Sequence, residues 1–301
     1  MWGEGDHAWG ESLERFMGSV LMGFRGWKVW LLQYGVANAG KGTATNGVLK
    51  RLMAGGFMGI RAETVLEKHM EASLVGEDVL VLSDVGEMEE RDMRKLAGLL
   101  RTVLGQDDIT AKRKVKEAVR GVVLRCAPIV QSHYLLSLPN EQGGLSAKMI
   151  PLHYRVGMTG RMDLGFGDKL AGELEGIAVR LCEAAVRLVG AAEGERWPIT
   201  EGSQELKRRV EIEGNPVDSF LDWGFVRRED GWVSGEMLKQ VRREWEKKGM
   251  GRIRKGSGAW VPDNGLLSRI EDTTAWGLRR VKSQGSGVWG LRGLVMKTAR
   301  E

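Results

Sequence analysis

Gly35-Val36-Ala37-Asn38-Ala39-Gly40-Lys41-Gly42-Thr43 stands between an apolar run, Trp27-Lys28-Val29-Trp30-Leu31-Leu32, and a segment of helical spacing, Thr45-Asn46-Gly47-Val48-Leu49-Lys50-Arg51-Leu52. Strand, glycine loop and helix is the setting in which a phosphate-binding loop works. The glycines let backbone N–H groups turn inward on an anion, and the helix N-terminus adds partial positive charge. Lys41 is placed to reach the β- and γ-phosphates of a nucleotide. The spacing G-x-x-x-x-G-K is met, but Gly42 stands where a Ser or Thr would hold Mg²⁺, so the hydroxyl role passes to Thr43. The competing reading is a chance glycine loop in a chain with 43 Gly. The flanking strand and helix speak against it.

The totals narrow the classes. With 301 residues the chain can form two domains or one large one. A hydrophobic share of 42% and a charged share of 28% read as soluble and globular. No apolar run approaches the ~18 residues that a membrane span needs. Met1 to Gly10 carries acids and Trp and lacks a signal-peptide pattern. Cys126 and Cys182 lie in apolar surroundings and read as reduced core residues of a cytoplasmic protein. Four scattered His and two Cys argue against a zinc site. A net charge of +5 suits a nucleic-acid partner without requiring one.

Along the chain, Leu13, Phe16, Met17, Val20 and Leu21 recur at helical steps and predict a packing helix over Glu11–Gly23. The loop comes so soon after it that any upstream module is expected to be missing. Beyond the loop come Ile60–Leu66 and a predicted helix over Glu67–Leu74. Asp78-Val79-Leu80-Val81-Leu82-Ser83-Asp84 has the continuous apolar character of a buried parallel strand. An acid at the C-terminal tip of the strand neighbouring a phosphate loop holds the Mg²⁺ shell, and Asp84 is given that role. Glu87 is the candidate for polarising the attacking water; the alternative is a plain loop acid. Met93, Leu96, Leu99, Leu100 and Val103 share one face of a predicted helix over Glu89–Leu104, with Gly105 as its stop signal. Lys112, Arg113, Lys114 and Lys116 then crowd a turn before a predicted strand, Gly121–Arg125. A basic hairpin there could touch a phosphate backbone, although a solvated turn is the ordinary reading of such charge.

The order of these motifs resembles that of superfamily 3 helicases, above all the helicase half of phage, plasmid and poxvirus-type primase-helicases. Their pattern after the amphipathic helix is roughly G-G-D-x-I-T-A-R-x-K-Y-K-E. This chain has Gly105, Asp107, Ile109, Thr110, Ala111, Arg113 one position late, Lys114, Lys116 and Glu117. The resemblance implies that Lys112, Arg113, Lys114 and Lys116 lie on or near a channel-facing hairpin that grips single-stranded DNA. It also implies a strand ending in a polar residue, usually Asn, that senses the γ-phosphate. Here Ala127–His133 offers Gln131 or Ser132 for that place. A trans-acting Arg is implied next, and Lys148 sits nearest its position, with Arg155 and Arg161 as alternatives. A Lys supplies charge but no bidentate fork. Glu173-Leu174-Glu175-Gly176-Ile177-Ala178 is similar to the family's E-x-x-G-I segment and lies in a predicted helical stretch, Asp168–Val189.

From Trp197-Pro198 onward the texture changes, and most of the 11 Trp lie there. Short helices are predicted over Val217–Trp223 and Leu266–Trp276, and a longer one over Gly235–Lys248 with Ser234 as N-cap. Leu278–Lys282 and Gly287–Leu294 flank a Gly/Ser turn, as a β-hairpin does. Helices followed by a hairpin suggest a winged-helix domain, which this helicase family often carries. Glu236 to Arg300 holds 15 Lys and Arg against 6 Asp and Glu, an excess larger than that of the whole chain. The Trp residues are read as core before base-stacking platforms.

The fold class expected is α/β: an AAA+-like P-loop NTPase core with a parallel sheet and helical flanks, followed by a winged-helix domain. The expected division is 1–26 as an N-terminal helical segment, 27–165 as the ATPase core, 166–198 as a helical extension and 199–301 as the DNA-binding domain. The implied activity is an ATP-driven DNA helicase of a phage or plasmid replication system, working with ATP and Mg²⁺ on single-stranded DNA. The implied assembly is a homo-hexameric ring, with a primase module in another chain as a partner and no membrane involved. Two other readings stand beside it. One is a DNA-binding remnant without turnover, motivated by Gln131 and Lys148; the other is a small-molecule P-loop kinase.

Overall fold

A computed structural model describes residues 7–24, 26–61, 64, 70–86, 88–111, 119–138, 144–158, 163, 165–214, 216–247, 266–267, 270, 278–283 and 287–297. The chain divides into two compact units: Met1–Leu136 with Leu145–Arg208, and Ser137–Gly144 with Arg209–Glu301.

The first unit opens on α1 (His7–Leu21) and β1 (Trp30–Gly35). A helix follows the glycine loop, π-helical over Thr43–Leu49 and α-helical over α2 (Lys50–Leu52). Then come β2 (Phe57–Arg61), α3 (Met70–Ser73), β3 (Val79–Val85), α4 (Glu90–Gly105), β4 (Asp108–Ala111), β5 (Val119–Val123) and β6 (Ala127–Ser132). The unit closes with α5 (Gly144–Ala147), β7 (Met149–Tyr154), α6 (Phe166–Gly190) and the start of α7 (Glu201–Gly214). Five strands form one parallel sheet in the order β2-β3-β6-β1-β7. Its central strands are apolar because both faces are covered. Leu31, Leu80, Leu82, Ile129 and Val130 are fully buried. The fold is thus α/β with a parallel five-stranded sheet, consistent with a P-loop NTPase-like architecture.

The elements fall where the apolar pattern puts them, with shifts that have local causes. β1 begins at Trp30, not Trp27, because Lys28 takes a left-handed turn conformation (φ 52). Trp30 is buried and its indole N–H donates to Leu145 O at 2.8 Å. α4 runs through Gly105 and stops at Gln106, which takes the left-handed cap conformation (φ 56). Gly105 is the last residue of the helix, and Asp107 Oδ2 lies 2.5 Å from where a Cβ on it would stand, a side-chain end that can move aside. α1 reaches α6 at Gly18, where a Cβ would meet Leu181 O at 2.0 Å. Glu11 ties the same two helices together, bonded to Arg15 at 2.8 Å and to Arg187 at 3.0 Å. Burial pushes the Glu11 carboxyl up, but the two guanidiniums outweigh it and hold it below the usual carboxylate range. Cys126 is buried, while Cys182 is only half-buried. No helix among the described residues is long and apolar enough to cross a membrane.

The second unit contains the end of α7, then α8 (Pro216–Gly224), β8 (Phe225–Ser234), α9 (Gly235–Lys247), β9 (Arg279–Lys282) and β10 (Trp289–Met296). The last three strands form an antiparallel sheet in the order β8-β10-β9. Phe220, Phe225, Leu238, Trp245 and Leu291 pack into its core. The predicted Ser234 cap is made: its Oγ accepts the Met237 N–H at 3.2 Å. Most of the predicted helix Leu266–Trp276 lies outside the described residues. α7 and most of β8 have no counterpart in the sequence reading. β8 hides its alternation behind the exposed run Arg228-Glu229-Asp230, opposite an irregularity in β10 at Gly293 (φ 103).

Candidate functional site

The glycine loop leaves the C-terminal end of β1. Gly35 has φ 137, and a Cβ on it would lie 1.9 Å from Tyr154 O. No other residue type fits there. The next residue, Val36, donates its N–H to that same Tyr154 O at 3.0 Å. Asn38 (φ 55) and Gly40 (φ 92) then turn the chain, and Asn38 O accepts the Met158 N–H at 2.9 Å. A Cβ on Gly40 or Gly42 would meet nothing within 4 Å, so the loop is open on that side. The helix opens with an α-type turn, Ala44 N–H donating to Gly40 O at 3.1 Å, and is π-helical from Thr43 onward.

Lys41 lies in the first turn with its ammonium folded onto the loop. Nζ donates to Gly35 O at 2.7 Å and to Val36 O at 2.8 Å, and lies 3.3 Å from His133 Nδ1. Burial pushes the ammonium below the ordinary lysine range, and the charge of Asp84 works against that shift. Asp84 stands exposed at the end of β3, with φ 54. Its strand is not the neighbour of β1, as a simple reading would have it, because β6 runs between them. The ends of the parallel strands converge at one edge, so the charge of Asp84 still reaches Lys41.

Beneath the loop runs a buried polar chain. Gln131 Nε2 donates to Gln33 Oε1 at 2.7 Å and to Thr45 Oγ1 at 3.1 Å. Gln33 Nε2 donates to Tyr154 Oη at 2.7 Å, and Thr45 Oγ1 donates to Lys41 O at 3.3 Å. Burial drives the Tyr154 hydroxyl above the ordinary phenol range, with the bond from Gln33 opposing it. β1, β6 and β7 are thereby tied to the loop helix. The amide of Gln131 is committed to this chain, and Ser132 Oγ is bonded to Val85 O and Tyr134 O. Neither side chain stands at the loop edge. His133 does: its Nδ1 is 2.9 Å from Gly35 O as well as near Lys41. One ring nitrogen cannot serve both, so its tautomer decides which contact is a hydrogen bond. Residues 131 and 133 lie on one face of β6 by strand alternation, and the reach of that face past the strand end is not visible in residue type.

Thr43 is half-buried and makes no side-chain hydrogen bond among the described residues. Lys148 lies at the start of β7, where its carbonyl accepts the Trp30 N–H at 3.0 Å. β7 runs parallel to β1, pairing Trp30 with Met149 and Gly35 with Tyr154, so Lys148 is at the sheet end opposite the glycine loop. Arg155 follows Tyr154 at the loop end and is exposed. β4 and β5 pair antiparallel around the basic turn, but Lys112, Arg113, Lys114 and Lys116 lie outside the described residues, as do Glu87 and Arg161. The structure thus brings the loop, Lys41 and Asp84 to one sheet edge and places Gln131 in the buried polar chain beneath it. Gln33, Thr45, Tyr154 and His133 join them without having been singled out in the sequence. Gln33 left one signal, a polar residue inside an otherwise apolar strand.

No protein-family model and no curated protein matches the sequence. Among solved structures, an A-form apo structure of the NrS-1 C-terminal region is similar at a TM-score of 0.53 and 13% identity, over 95% of this chain and 75% of that one. Another apo structure of that region aligns at a TM-score of 0.56 and 14% identity, over 94% and 71%. An X-ray structure of JCV Helicase aligns at a TM-score of 0.37 and 15% identity, over 72% and 63%. At these identities the NrS-1 likeness shows a shared fold, and the weaker one carries no argument.

Proposed function

We propose that the chain is the ATP-driven DNA helicase part of a superfamily 3 system of the phage, plasmid or poxvirus primase-helicase type, acting in the cytoplasm. The observation that carries this reading is Lys41, a buried ammonium held over the carbonyls of an open glycine loop at the C-terminal edge of a parallel sheet. The shared fold with the NrS-1 C-terminal region and the motif order support it. In this reading residues 27–165 are an AAA+-like core, 1–26 and 166–198 its helical flanks, and 199–301 a winged-helix-like DNA-binding domain.

The donor set fits a nucleoside triphosphate with Mg²⁺. The loop Gly35 to Gly42 turns its free backbone N–H groups, from Ala37 onward, and the charge of Lys41 toward the phosphates. Thr43 and Asp84 offer the two oxygens that hold the metal shell. The bound nucleotide supplies a transferable γ-phosphoryl group and the metal neutralises charge on it. Lys41 leaves Gly35 O and Val36 O when it engages phosphate, which frees the loop to close. Glu87 orients water. His133 takes the sensing place at the strand end, and Gln131 holds the loop helix in position through Thr45. Lys148 acts in the neighbouring subunit of a ring, most simply a homo-hexamer. Lys112, Arg113, Lys114 and Lys116 grip single-stranded DNA by its backbone, without sequence preference. A primase module in a separate chain completes the system.

The deciding experiment is ATP hydrolysis by the purified chain with and without single-stranded DNA, beside Lys41→Ala. Turnover that rises with DNA and falls at least about 10²-fold in the variant is expected. Absence of turnover with DNA still bound would sink the motor and leave the DNA-binding remnant. Hydrolysis indifferent to DNA but dependent on a small phosphate acceptor would favour the kinase.

A further inference from the structure

The outer face of the β8-β10-β9 sheet carries a feature that the nucleotide loop does not use. Register places Trp232, Arg292 and Arg279 in one row across the three strands, and Ser234, Gly290 and Val281 in the next row on the same face. The opposite face, with Val233 and Leu291, is the buried core side. Trp232 is 39% exposed, and its indole lies over the backbone of Gly290. A Cβ on Gly290 would meet two of its ring atoms at 2.7 Å. Arg279 and Arg292 are exposed and have no carboxylate partner among the described residues. On the Leu291 face, at the hairpin end and so not part of this row, Arg280 lies 5.2 Å from the ring centroid of Trp289, which is 49% exposed.

We infer that this face binds single-stranded DNA, with Trp232 stacking a base across Gly290 while Arg279 and Arg292 hold the adjoining phosphates. Three observations lead there. A large aromatic ring lies open against the backbone of Gly290 instead of joining the core, and exposed aromatic rings are what base stacking uses. Two cations, Arg292 and then Arg279, continue from it in one cross-strand row, roughly 10 Å long at the ordinary strand spacing, which is the scale of one or two nucleotides. The positive excess of the chain is concentrated in this part of the sequence. The acids nearby, Glu229 and Asp230, lie in the irregular part of β8, and Asp230 is paired with Arg228 at 3.0 Å. Charge on the edge strand β9 alone has an ordinary explanation, protection of an open sheet edge. That does not account for Arg292 on the middle strand or for Trp232 on the far one. The inference rests on the reading of 199–301 as a DNA-binding domain and names its site, but it needs neither nucleotide nor Lys41.

The test is binding of a fluorescein-labelled oligo-dT by the whole chain without nucleotide, followed by anisotropy over a range of salt. Trp232→Ala and Trp232→Leu should each weaken binding about tenfold or more, while Trp232→Tyr, which keeps a π-face, holds most of the affinity. Arg279→Ala with Arg292→Ala should flatten the slope of log affinity against log salt by roughly 1.4, about 0.7 for each phosphate contact. Unchanged unfolding midpoints in the Leu and Tyr variants keep the result about the face and not the fold. Binding within twofold of wild type in Trp232→Leu would overturn the inference. So would failure of the wild-type chain to bind oligo-dT, or a preference for duplex that these variants leave intact. DNA-independent ATP hydrolysis, measured on the same variants, reads the loop separately, so a failed face and a failed motor are told apart.

Discussion

The glycine-loop edge in the first unit and the outer sheet face in the second both present cations, but they hold them by opposite means. Lys41 is buried, bonded to two carbonyls and supported by a chain of four polar side chains running through three strands. Arg279 and Arg292 stand in water on a short antiparallel sheet beside an open indole. The first arrangement costs desolvation and is affordable only with complete hydrogen bonding; it suits a site where charge must be placed to a fraction of an ångström. The second costs almost nothing and tolerates many poses, which suits a flexible polyanion.

The largest expected effect tests how rigid the first arrangement is. Gly35→Ala would force a Cβ into Tyr154 O at a backbone angle that L-residues avoid. A loss of ~3 kcal/mol or more is expected in urea unfolding, with nucleotide binding lost even where the fold survives. A change below ~1 kcal/mol would mean that the loop adapts as freely as the outer face.

Next is the polar chain. Gln131→Leu strips Gln33 and Thr45 of their shared donor and should cost about 1–3 kcal/mol. Adding Gln33→Leu should cost less than the sum of the two single changes, because both act on one network. Strict additivity in that double-mutant cycle would show that the side chains are neighbours without being coupled.

The pH dependence of nucleotide affinity sharpens the same contrast. Burial lowers the Lys41 pKa, and phosphate favours the charged form, so binding draws a proton wherever free Lys41 is deprotonated. Affinity should be full below the lowered pKa. It should fall toward tenfold per pH unit above it, starting before the ordinary lysine range is reached. Titration of ATP binding in alkaline buffers checks this, and Lys41→Arg should remove the dependence because a guanidinium stays charged. The smallest effect belongs to the second unit. Trp289→Ala loses one exposed ring and its contact with Arg280, and a change of about 0.5–1 kcal/mol in stability is expected. A loss of several kcal/mol would place Trp289 in the core after all.

Much of the first unit can be read in the chain. A continuous apolar run such as Val79–Leu82 belongs to a covered parallel strand whatever its neighbours are, and the loop glycines announce themselves by spacing. Strand starts and stops were less legible, since Lys28 and Gln106 adopt left-handed conformations that their residue types do not advertise. Two elements, α7 across the division of the units and β8 in the second unit, escaped for different reasons. α7 lacks a strong apolar stripe, with Ser203 buried among its few inward positions, although Thr200 caps it through the Ser203 N–H at 3.2 Å. β8 is interrupted by charge where it bulges opposite Gly293 of β10. The assignment of the later Trp residues to the core holds for Trp245 and fails for Trp232 and Trp289.

Local chemistry decided which segments become strands and helices, where the glycine loop lies, and that Lys41 heads a helix, because backbone freedom and apolar periodicity are properties of short stretches. The tertiary structure decided strand order, and with it which residues meet. β6 lies between β1 and β3, so Gln131 is drawn under the loop helix and His133 is carried to Lys41. Residue type cannot specify that, since a Gln one residue before a strand end can face the core or the solvent until its neighbour is known. The same holds for Trp232: only the pairing of β8 with β10 sets its ring over a glycine and leaves it in the open.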